Sequence, residues 1–501
     1  MIAQAHAATL AGIEALPVVV EVDLTGGKVE FIMVGLPDKA VQESKERVAT
    51  AIWNSALAFP SSRIICNLAP GDIKKEGPAL DLPIAMAVLA TNGQVPMSEL
   101  IETLFVGELG LDGQLRRIDG AVNIALMCQK MGIKRLVVPK PNAAEAAVAQ
   151  GVEVFGLDRL LDAVELMNGS MDFKPFEYSL TEATRRPQYE VDYCDVKGQT
   201  HAIRALEIAA AGGHNVLMTG PPGAGKTMLA RRLPTIMPPL ALDESIAVTR
   251  IYSACGEMRG REGLLWERPF RAPHHTTSYA AIVGGGTNPK PGEVSLAHHG
   301  VLFMDEMPEY NREVLEALRQ PLEDGIVSVA RVQATMVFPA ECVLVGAMNP
   351  CPCGYKGYPE AKCVGAAQCD KYAGKISGPL LDRIDLHILV PRLKPEELID
   401  KPTGEPSDAI RERVIAARER QHGRLGGQKI NAKMAPKEIR ELVVMDDECK
   451  EFMKSVSARL NLSARVFDRM LKVARTIADL EGEDDVRKRH LSEAVQYRSA
   501  N

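Results

Sequence analysis

The chain has 501 residues, of which 46% are hydrophobic and 25% carry a charged side chain. This balance excludes a disordered or fibrous protein, and the length is too great for a single ordinary hydrophobic core. The formal net charge of −6 gives no support to general nucleic-acid binding. Any such binding therefore depends on local basic patches.

The sequence predicts a cytoplasmic protein without a membrane partner. No apolar run reaches the roughly 18 residues that a membrane-spanning helix needs. The first residues, Met1–His6, lack the basic and apolar regions of a signal peptide. Ten cysteines in a chain of this length do not make a disulfide framework, and a reducing compartment keeps them as thiols.

Residues 1–170 are predicted to form an α/β domain. Val18–Val22 and Phe31–Val34 have the composition of strands and flank a turn at Gly26–Gly27. The apolar residues of Lys39–Leu57 have helical spacing. Strand and helix signals therefore alternate through this part of the chain.

The rest of the chain is predicted to contain a linker and two further domains. Residues 171–190 are polar and carry two prolines, which is typical of a linker. Residues 191–392 return to an α/β pattern with apolar, parallel-type strands. Residues 393–501 are helical, as the spacing of Val466 and Met470 on one helix face illustrates.

A phosphate-binding loop lies near the start of the second α/β region. A strand-like run, Asn215–Met218, precedes it and a helix-like run, Met228–Arg232, follows it. Between them, eight residues fit the pattern G-x-x-x-x-G-K-[ST]: Gly220, Pro221, Pro222, Gly223, Ala224, Gly225, Lys226 and Thr227. In such a loop the lysine reaches the β and γ phosphates and the threonine hydroxyl binds Mg²⁺. The pattern therefore predicts ATP and Mg²⁺ as cofactors, against the alternative of a chance glycine-rich turn.

A second nucleotide element follows the apolar strand Val301–Met304. Asp305 is predicted to bind Mg²⁺ and Glu306 to polarise the attacking water. The alternative is an ordinary strand followed by a helix start, where acidic residues are also favoured.

Three more residues complete a resemblance to AAA+ ATPases. Asn349 follows the strand Cys342–Ala347, where these enzymes carry a polar residue that orients water; its alternative is an Asn-Pro turn. Arg383 stands where an arginine finger reaches the neighbouring subunit, and Arg465 stands at the position called sensor 2. A surface salt bridge is the alternative for each arginine. A finger acting in trans implies a homo-oligomeric ring, with a hexamer expected.

Four strings resemble the ComM/YifB family of magnesium-chelatase-like AAA+ proteins: Asp195–Gln199, Ala205–Gly213, Arg271–Thr276 and Asn349–Gly354. The resemblance covers the whole chain in the same order. It implies an ATP-driven DNA helicase that performs branch migration in natural transformation, with single-stranded or branched DNA as partner. The alternatives are a magnesium-chelatase-type ATPase and a protein-remodelling AAA+ ATPase.

Two segments are candidates for the DNA contact. Residues 268–292 contain Arg268, Arg271 and Lys290 but no acidic residue. Arg331 lies in the hairpin-like stretch of residues 325–332 and resembles the basic tip residue of related helicases. Positive charge without competing carboxylates suits a phosphate backbone. The alternative for both segments is a structural hairpin at a subunit interface.

The N-terminal domain also resembles the Lon protease domain and the DNA helicase RadA. The string Lys75–Ala79 carries the resemblance, with Ala79 where Lon proteases have their serine nucleophile and Val122 near the place of their lysine. Alanine cannot form an acyl-enzyme. The resemblance therefore implies a scaffold for ring assembly or DNA docking, with no protease chemistry.

Four cysteines form a local cluster: Cys351, Cys353, Cys363 and Cys369. Four thiolates can hold one tetrahedral Zn²⁺, although the first spacing, C-x-C, is tighter than usual. A zinc site, metal-free thiols and a redox role all remain open from the sequence.

Overall fold

A computed structural model describes residues 2–178, 187, 189–286, 289–330, 335–354, 366–393 and 404–498. The chain divides into two compact units. The first contains Met1–Glu182, Leu242–Leu265 and Thr287–Lys290, and the second contains Ala183–Ala241, Trp266–Gly286 and Pro291–Asn501. No helix among the described residues is both long and apolar enough to cross a membrane.

The strands are β1 Ala3–Ala11, β2 Glu14–Thr25, β3 Phe31–Val34, β4 Arg63–Ala69, β5 Thr103–Phe105, β6 Glu108–Leu109, β7 Leu115–Arg116, β8 Arg135–Pro139, β9 Glu153–Leu157, β10 Val216–Thr219, β11 Phe270–Arg271, β12 Gly284–Gly285, β13 Lys290–Pro291, β14 Val301–Met304, β15 Ile326–Ala330, β16 Thr335–Pro339, β17 Val343–Met348 and β18 Leu386–Leu389. The helices are α1 Lys39–Asn54, α2 Asp81–Thr91, α3 Met97–Ile101, α4 Ala121–Met131, α5 Ala143–Ala146, α6 Leu160–Asn168, α7 Thr200–Gly212, α8 Lys226–Ile236, α9 Leu242–Cys255, α10 Tyr279–Val283, α11 Glu293–Leu296, α12 Arg312–Ala317, α13 Arg319–Asp324, α14 Ala366–Ala373, α15 Gly378–Leu381, α16 Ser407–Leu425, α17 Pro436–Leu442, α18 Asp447–Leu460, α19 Ala464–Leu480 and α20 Lys488–Gln496.

The first unit is built on a seven-stranded sheet in the order β3-β4-β2-β1-β5-β8-β9. In β2 the alternate residues Val18, Val20 and Val22 are buried, as expected for a strand that covers a core on one face. The strands predicted around Gly26–Gly27 both form, but β4 lies between them and pairs with each. The reason is α1, which crosses over from β3 and brings β4 in parallel to it.

The second unit is built on a parallel sheet in the order β11-β14-β17-β10-β18. Its central strands β14 and β17 are buried at every residue, because helices cover both faces of the sheet. Helices after residue 404 share this core, with Val414 of α16 and Val473 of α19 buried in it. The predicted α/β class with a helical C-terminal region is therefore confirmed. The second compact unit contains both the α/β core and the helical region after residue 404, and the predicted border at residues 392 and 393 stays a prediction.

A segment from the predicted ATPase region packs in the first unit instead. The Gly120 amide donates to the Ser253 carbonyl of α9 at 3.0 Å. Arg250 forms an ion pair with Glu14 at 2.8 Å. Residues 242–265 thus pack within the first unit, because their polar and backbone partners lie in the N-terminal part of the chain.

The predicted linker, residues 171–190, is described in part. Its first residues pack on the first unit, where the Phe176 amide donates to the Val154 carbonyl at 2.7 Å. The Tyr178 hydroxyl accepts from the Leu264 amide at 3.2 Å. Residues 179–186 and 188 lie outside the described residues.

A candidate nucleotide site at the carboxyl edge of the parallel sheet

Three parallel strands, β10, β14 and β17, end at one edge of the second unit's sheet. Polar loops at the carboxyl ends of parallel strands meet there, which is the usual ligand-binding edge of such sheets. A cavity of about 470 Å³ lies at this edge. It is lined by Pro222, Gly223, Ala224, Gly225, Lys226, Thr227, Met228, Asp305, Glu306, Met348 and Asn349.

The loop between β10 and α8 owes its shape to glycine. Gly223 and Gly225 have φ of 76° and 90°, a region that other residues rarely adopt. A side chain at Gly220 would lie 2.2 Å from the Val390 carbonyl oxygen, so this position also requires glycine. The loop leads directly into α8, whose first amides carry the positive end of the helix dipole.

Lys226 is the first residue of α8 and is nearly buried. Its Nζ donates to the carbonyls of Gly220 at 2.7 Å and Pro221 at 3.0 Å, and to Asn349 Oδ1 at 3.2 Å. Burial lowers the pKa of this ammonium group. The acceptors around Nζ are neutral oxygens, which an anionic phosphate can replace at a gain in electrostatic energy.

Thr227 and Asp305 bring two oxygen ligands together. The Thr227 hydroxyl donates to Asp305 Oδ2 at 2.8 Å, although the residues are 78 positions apart in the chain. Hydroxyl and carboxylate oxygens are the donors that Mg²⁺ prefers, usually beside phosphate oxygens and water. The donor set therefore fits the predicted metal.

Glu306 has an unusual backbone conformation at the cavity. Its φ is 49°, and its amide donates to Asp305 Oδ1 at 2.9 Å. The side chain is 54% exposed, and Oε2 lies 3.4 Å from His275 Nδ1. The left-handed backbone turns the chain sharply after β14 and leaves the Glu306 carboxylate accessible from the cavity.

His275 lies beside Glu306 at this site, a contact that the sequence did not predict. Its ring lies 4.1 Å from that of His274 and 6.4 Å, edge-on, from that of Tyr310. The Tyr310 hydroxyl donates to the Pro273 carbonyl at 2.6 Å and so holds the loop that carries His274 and His275. The available signal was the Arg271–Thr276 string, which begins at the last residue of β11, the strand beside β14.

Arg383 lies at the opposite edge of the sheet. Asn215, directly before β10, donates from Nδ2 to the Arg383 carbonyl at 3.1 Å and accepts from the Leu344 amide at 2.9 Å. These contacts fix Arg383 at the amino ends of β10 and β17, whereas Lys226 and Asn349 follow their carboxyl ends. The cavity lining accordingly includes neither Arg383 nor Arg465.

The two predicted arginines meet at one carboxylate. Arg383 donates from one terminal nitrogen to Glu323 Oε2 and from the other to the Pro379 carbonyl at 2.8 Å. Arg465 lies 3.6 Å from Glu323 Oε1. The side chain of Arg383 is 8% exposed and that of Arg465 is 56% exposed.

The first candidate DNA segment is less available than its sequence indicates. Arg268 is buried and donates to the carbonyls of Pro238 at 2.5 Å and His299 at 2.6 Å. Arg271 is held by Glu293 through two bonds of 2.6 and 2.7 Å. The segment itself has no acidic residue, but the carboxylate that neutralises Arg271 follows one position after its end.

Lys290 and Arg331 are the DNA-binding residues predicted from the sequence. Lys290 is exposed and belongs to the first unit, where it lines a second cavity of about 470 Å³ together with Ala79 and Asp119. Arg331 lies outside the described residues.

The site of the Lon resemblance is the same second cavity. Ala79 lines it, and Val122 is buried in α4. The nearby Lys75 is also buried, donates to the Pro70 carbonyl and has its pKa lowered by burial. Ala79 and Val122 offer neither a nucleophile nor a base. The absence of protease chemistry remains a prediction from the sequence.

The cysteine cluster is described in part. Cys351 Sγ and Cys353 Sγ lie 3.1 Å apart just after β17, and Cys369 is buried on α14. Cys363 lies outside the described residues. Among the described side chains, the group with metal-ligand spacing is Glu481, Glu483 and His490, and arginines pair with both of its carboxylates.

Comparison with known proteins places these features in a family. Residues 192–398 match the family described as "Magnesium chelatase, subunit ChlI", residues 20–142 match "Subunit ChlI of Mg-chelatase", and residues 404–498 match "Magnesium chelatase, subunit ChlI C-terminal". Competence protein ComM of Haemophilus influenzae is 43% identical over 97% of this chain and 96% of that protein. The uncharacterized protein YifB of Salmonella typhimurium is 41% identical over 99% of this chain and 96% of that protein. DNA repair protein RadA of Listeria monocytogenes is 31% identical over 97 residues, 19% of this chain and 21% of that protein.

The similarity to ComM and YifB spans almost the full length of each partner, and the matched regions include the loop, strands and helices that form the nucleotide cavity. The chain therefore belongs to the ComM/YifB family of magnesium-chelatase-like AAA+ proteins.

Proposed function

We propose that the chain is a ring-forming ATP hydrolase that couples ATP turnover to movement on DNA. The proposed activity is branch migration, a helicase function in natural transformation and recombination, on single-stranded or branched DNA. The observation that carries the ATPase part is the convergence of Lys226, Asp305, Glu306 and Asn349 on one cavity. The family itself implies use of nucleotide and Mg²⁺.

The roles of the cavity residues follow from their atoms. Lys226 Nζ exchanges its carbonyl partners for the β and γ phosphates. When bound, Mg²⁺ neutralises charge on those phosphates, with Thr227 and Asp305 as its protein ligands. Glu306 accepts a proton from the attacking water, and Asn349 orients that water.

Arg383 serves a neighbouring subunit in this proposal. Its backbone is anchored at the amino edge of the sheet, so it cannot line the cavity of its own chain. In a closed ring, the amino edge of one subunit can face the nucleotide of the next. An arginine finger usually stabilises the negative charge of the transferred phosphate from a neighbouring subunit. We expect a hexamer.

The DNA part of the proposal has different support. The name of one relative is a competence protein, and a second, partial relative is a DNA repair protein. Lys290 is exposed, and its side chain makes no ion pair or hydrogen bond with the described residues. Arg331, predicted at a hairpin tip, is the second candidate for a phosphate contact.

The DNA proposal is tested by ATP turnover with and without single-stranded, duplex and four-way DNA. We expect DNA to stimulate turnover, and a four-way junction to move only with hydrolysable ATP. Arg331→Ala and Lys290→Ala should reduce the stimulation and flatten the salt dependence of binding, because each removes a phosphate contact. Lys437→Ala, at a 79% exposed side chain, is the matched control.

A second candidate function is magnesium-chelatase-type or protein-remodelling ATPase activity. The observation that favours it is the family description, which names the chelatase subunit across three regions of the chain. If turnover is indifferent to all three DNA forms and DNA binding is insensitive to salt, this second function replaces the first.

We also propose a zinc site at Cys351, Cys353, Cys363 and Cys369. The two sulfurs at the end of β17 lie side by side, and burial of Cys369 suits a structural metal. Metal analysis of the purified chain should find one Zn²⁺, lost in Cys353→Ser and Cys369→Ser but kept in Cys194→Ser. A metal-free wild-type protein with four reactive thiols contradicts the proposal.

A further inference from the structure

Glu323 occupies a special position between the two arginines at the amino edge of the sheet. One carboxylate oxygen accepts from Arg383, and the other lies 3.6 Å from Arg465. These residues come from three separate elements: α13, the turn after α15, and the start of α19. A single side chain therefore joins parts of the second unit that are about 60 and 140 positions apart in the sequence.

The backbone holds Glu323 where it is. Helix α13 ends at Asp324, and Gly325 follows with φ of 69°, a helix end that glycine adopts without strain. The Gly325 amide donates to the Pro321 carbonyl at 2.9 Å, and its carbonyl accepts from the Ala340 amide at 2.8 Å. The backbone amide and carbonyl of Gly325 are thus both hydrogen-bonded, which fixes the end of α13.

The charges around Glu323 favour a carboxylate there. Arg469 lies in the same region, where it pairs with Asp385 at 2.5 Å and donates to the Arg383 carbonyl at 3.0 Å. Three guanidinium groups near one another repel unless an anion lies between them. The hydrogen bond from Arg383 and the charges of the arginines lower the pKa of Glu323, against a smaller effect of burial, so its carboxylate stays ionised.

Arg383 depends on this contact for its direction. Its Nε is buried and has no hydrogen-bond partner among the described residues, so the guanidinium is held at its two terminal nitrogens. One of these bonds is to a neutral carbonyl of the same turn, Pro379. The bond to Glu323 is the charged one, and it comes from a different helix.

We propose that Glu323 is a positioning residue that holds Arg383 and Arg465 together for the nucleotide of the neighbouring subunit. The inference rests on the proposed role of Arg383 in trans. Loss of the carboxylate leaves both guanidinium groups charged but lets them separate. The transferred phosphate then meets arginines that are displaced, while the nucleotide cavity of the same chain stays intact.

The test is Glu323→Gln, with Glu316→Gln as the matched control. Glu316 also pairs with an arginine, Arg319 at 2.7 Å, on the neighbouring helix. Glu323→Gln should bind ATP normally but turn it over roughly tenfold to a hundredfold more slowly. A displacement of a catalytic group by about 1 Å lowers the rate by a factor of this size. Glu316→Gln should keep wild-type turnover. Circular dichroism and thermal unfolding show that both variants fold.

Subunit mixing separates positioning from damage to the nucleotide site. Glu323→Gln subunits have an intact phosphate loop, so mixing them with Lys226→Ala subunits, which carry well-held arginines, should restore turnover. Mixing them with Arg383→Ala subunits should not. Wild-type turnover of Glu323→Gln overturns the inference. So does a second result, in which Lys226→Ala subunits restore the turnover of Arg383→Ala rings but not that of Glu323→Gln rings.

Failure of the trans finger itself has a different signature. In that case Arg383→Ala and Lys226→Ala subunits do not complement each other, whatever residue stands at position 323. The triple variant Glu323→Gln/Arg383→Ala/Arg465→Ala then decides. Turnover equal to that of Arg383→Ala/Arg465→Ala shows that Glu323 acts through the two arginines, and a further loss shows that it does not.

Discussion

Glu306 illustrates how one residue of this site depends on its surroundings. Its backbone is in the left-handed region, its amide is bonded to Asp305, and its carboxylate lies beside His275. Asp305 instead faces the Thr227 hydroxyl. The two adjacent carboxylates therefore point to different partners, which suits one for metal binding and the other for proton transfer.

Substitution of Glu306 should separate ATP binding from ATP hydrolysis. Glu306→Gln keeps the size of the side chain but removes its basicity, so we expect normal ATP binding and turnover lowered by about a hundredfold or more. Lys226→Ala should lose binding itself, because the lysine charge at the phosphates is removed. Nucleotide binding and phosphate release measure the two steps. Glu309→Gln is the control, and near-normal turnover by Glu306→Gln contradicts the assigned role.

Asp385 is a residue whose importance lies in stability. It is buried, pairs with Arg469 at 2.5 Å, accepts from the Asn215 amide at 3.1 Å and lies 3.4 Å from His214. Burial alone would raise the pKa of Asp385, but the contact with His214 and the charge of Arg469 outweigh it and hold the pKa below its ordinary value. The folded state therefore favours the ionised carboxylate.

Asp385→Asn should destabilise the second unit by about 3 kcal/mol at neutral pH, because it breaks a largely buried ion pair and leaves the half-buried Arg469 without its charged partner. A lowered pKa contributes stability above the unfolded-state pKa, about 3.9, and that stability is lost as the pH falls further. The difference between wild type and variant should therefore shrink below about pH 4. Thermal unfolding across pH measures it. Asp447→Asn, at a 97% exposed side chain, should show no such difference.

Among the elements, α9 and the segment after it show how an insertion is held. Ser245 and Thr249, one turn apart and buried, bond the two backbone groups of Leu265: Ser245 donates to its carbonyl at 2.6 Å, and Thr249 accepts from its amide at 3.0 Å. Residues 242–265 thereby fold back on themselves and pack within the first unit.

Thr249→Val should loosen this segment while keeping its shape. The substitution leaves the part-buried Leu265 amide without its acceptor, at a cost of about 1 kcal/mol. We expect faster hydrogen exchange in residues 242–265, measured by mass spectrometry, with other elements of the first unit little changed. Thr25→Val, at a half-buried position of β2, is the control. Unchanged exchange in the segment shows that Thr249 does not hold it.

In the molecule as a whole, the sheet of the second unit carries candidate functional residues at two opposite edges. The carboxyl edge carries the phosphate loop and the acidic pair, and the amino edge carries Arg383. Strand β10 separates them and is four residues long, a rise of roughly 13 Å. A complete catalytic set therefore requires two subunits in our proposal, with one edge from each.

Mixing of variant subunits tests this requirement. Arg383→Ala keeps its phosphate loop and Lys226→Ala keeps its finger, so an equal mixture should recover about a quarter of wild-type turnover at composite sites. A mixture of Lys226→Ala with Glu306→Gln is the control, since both changes affect the same edge and no composite site is complete. Absence of recovery in the first mixture contradicts a finger acting in trans.

The amino-acid sequence alone was enough to predict the local parts of this protein. The phosphate loop and the acidic pair after β14 are contiguous patterns, so their residues could be named without knowing the fold. The α/β class followed from apolar runs and helical spacing for the same reason.

Which distant residues meet became known from the folded structure. Arg268 and Arg271 looked available in sequence but are held by carbonyls and by Glu293. His275 beside Glu306 and Glu323 beside Arg383 come from separate elements. Side-chain partners and the packing of residues 242–265 depend on contacts between segments far apart in the chain, and no local pattern encodes those contacts.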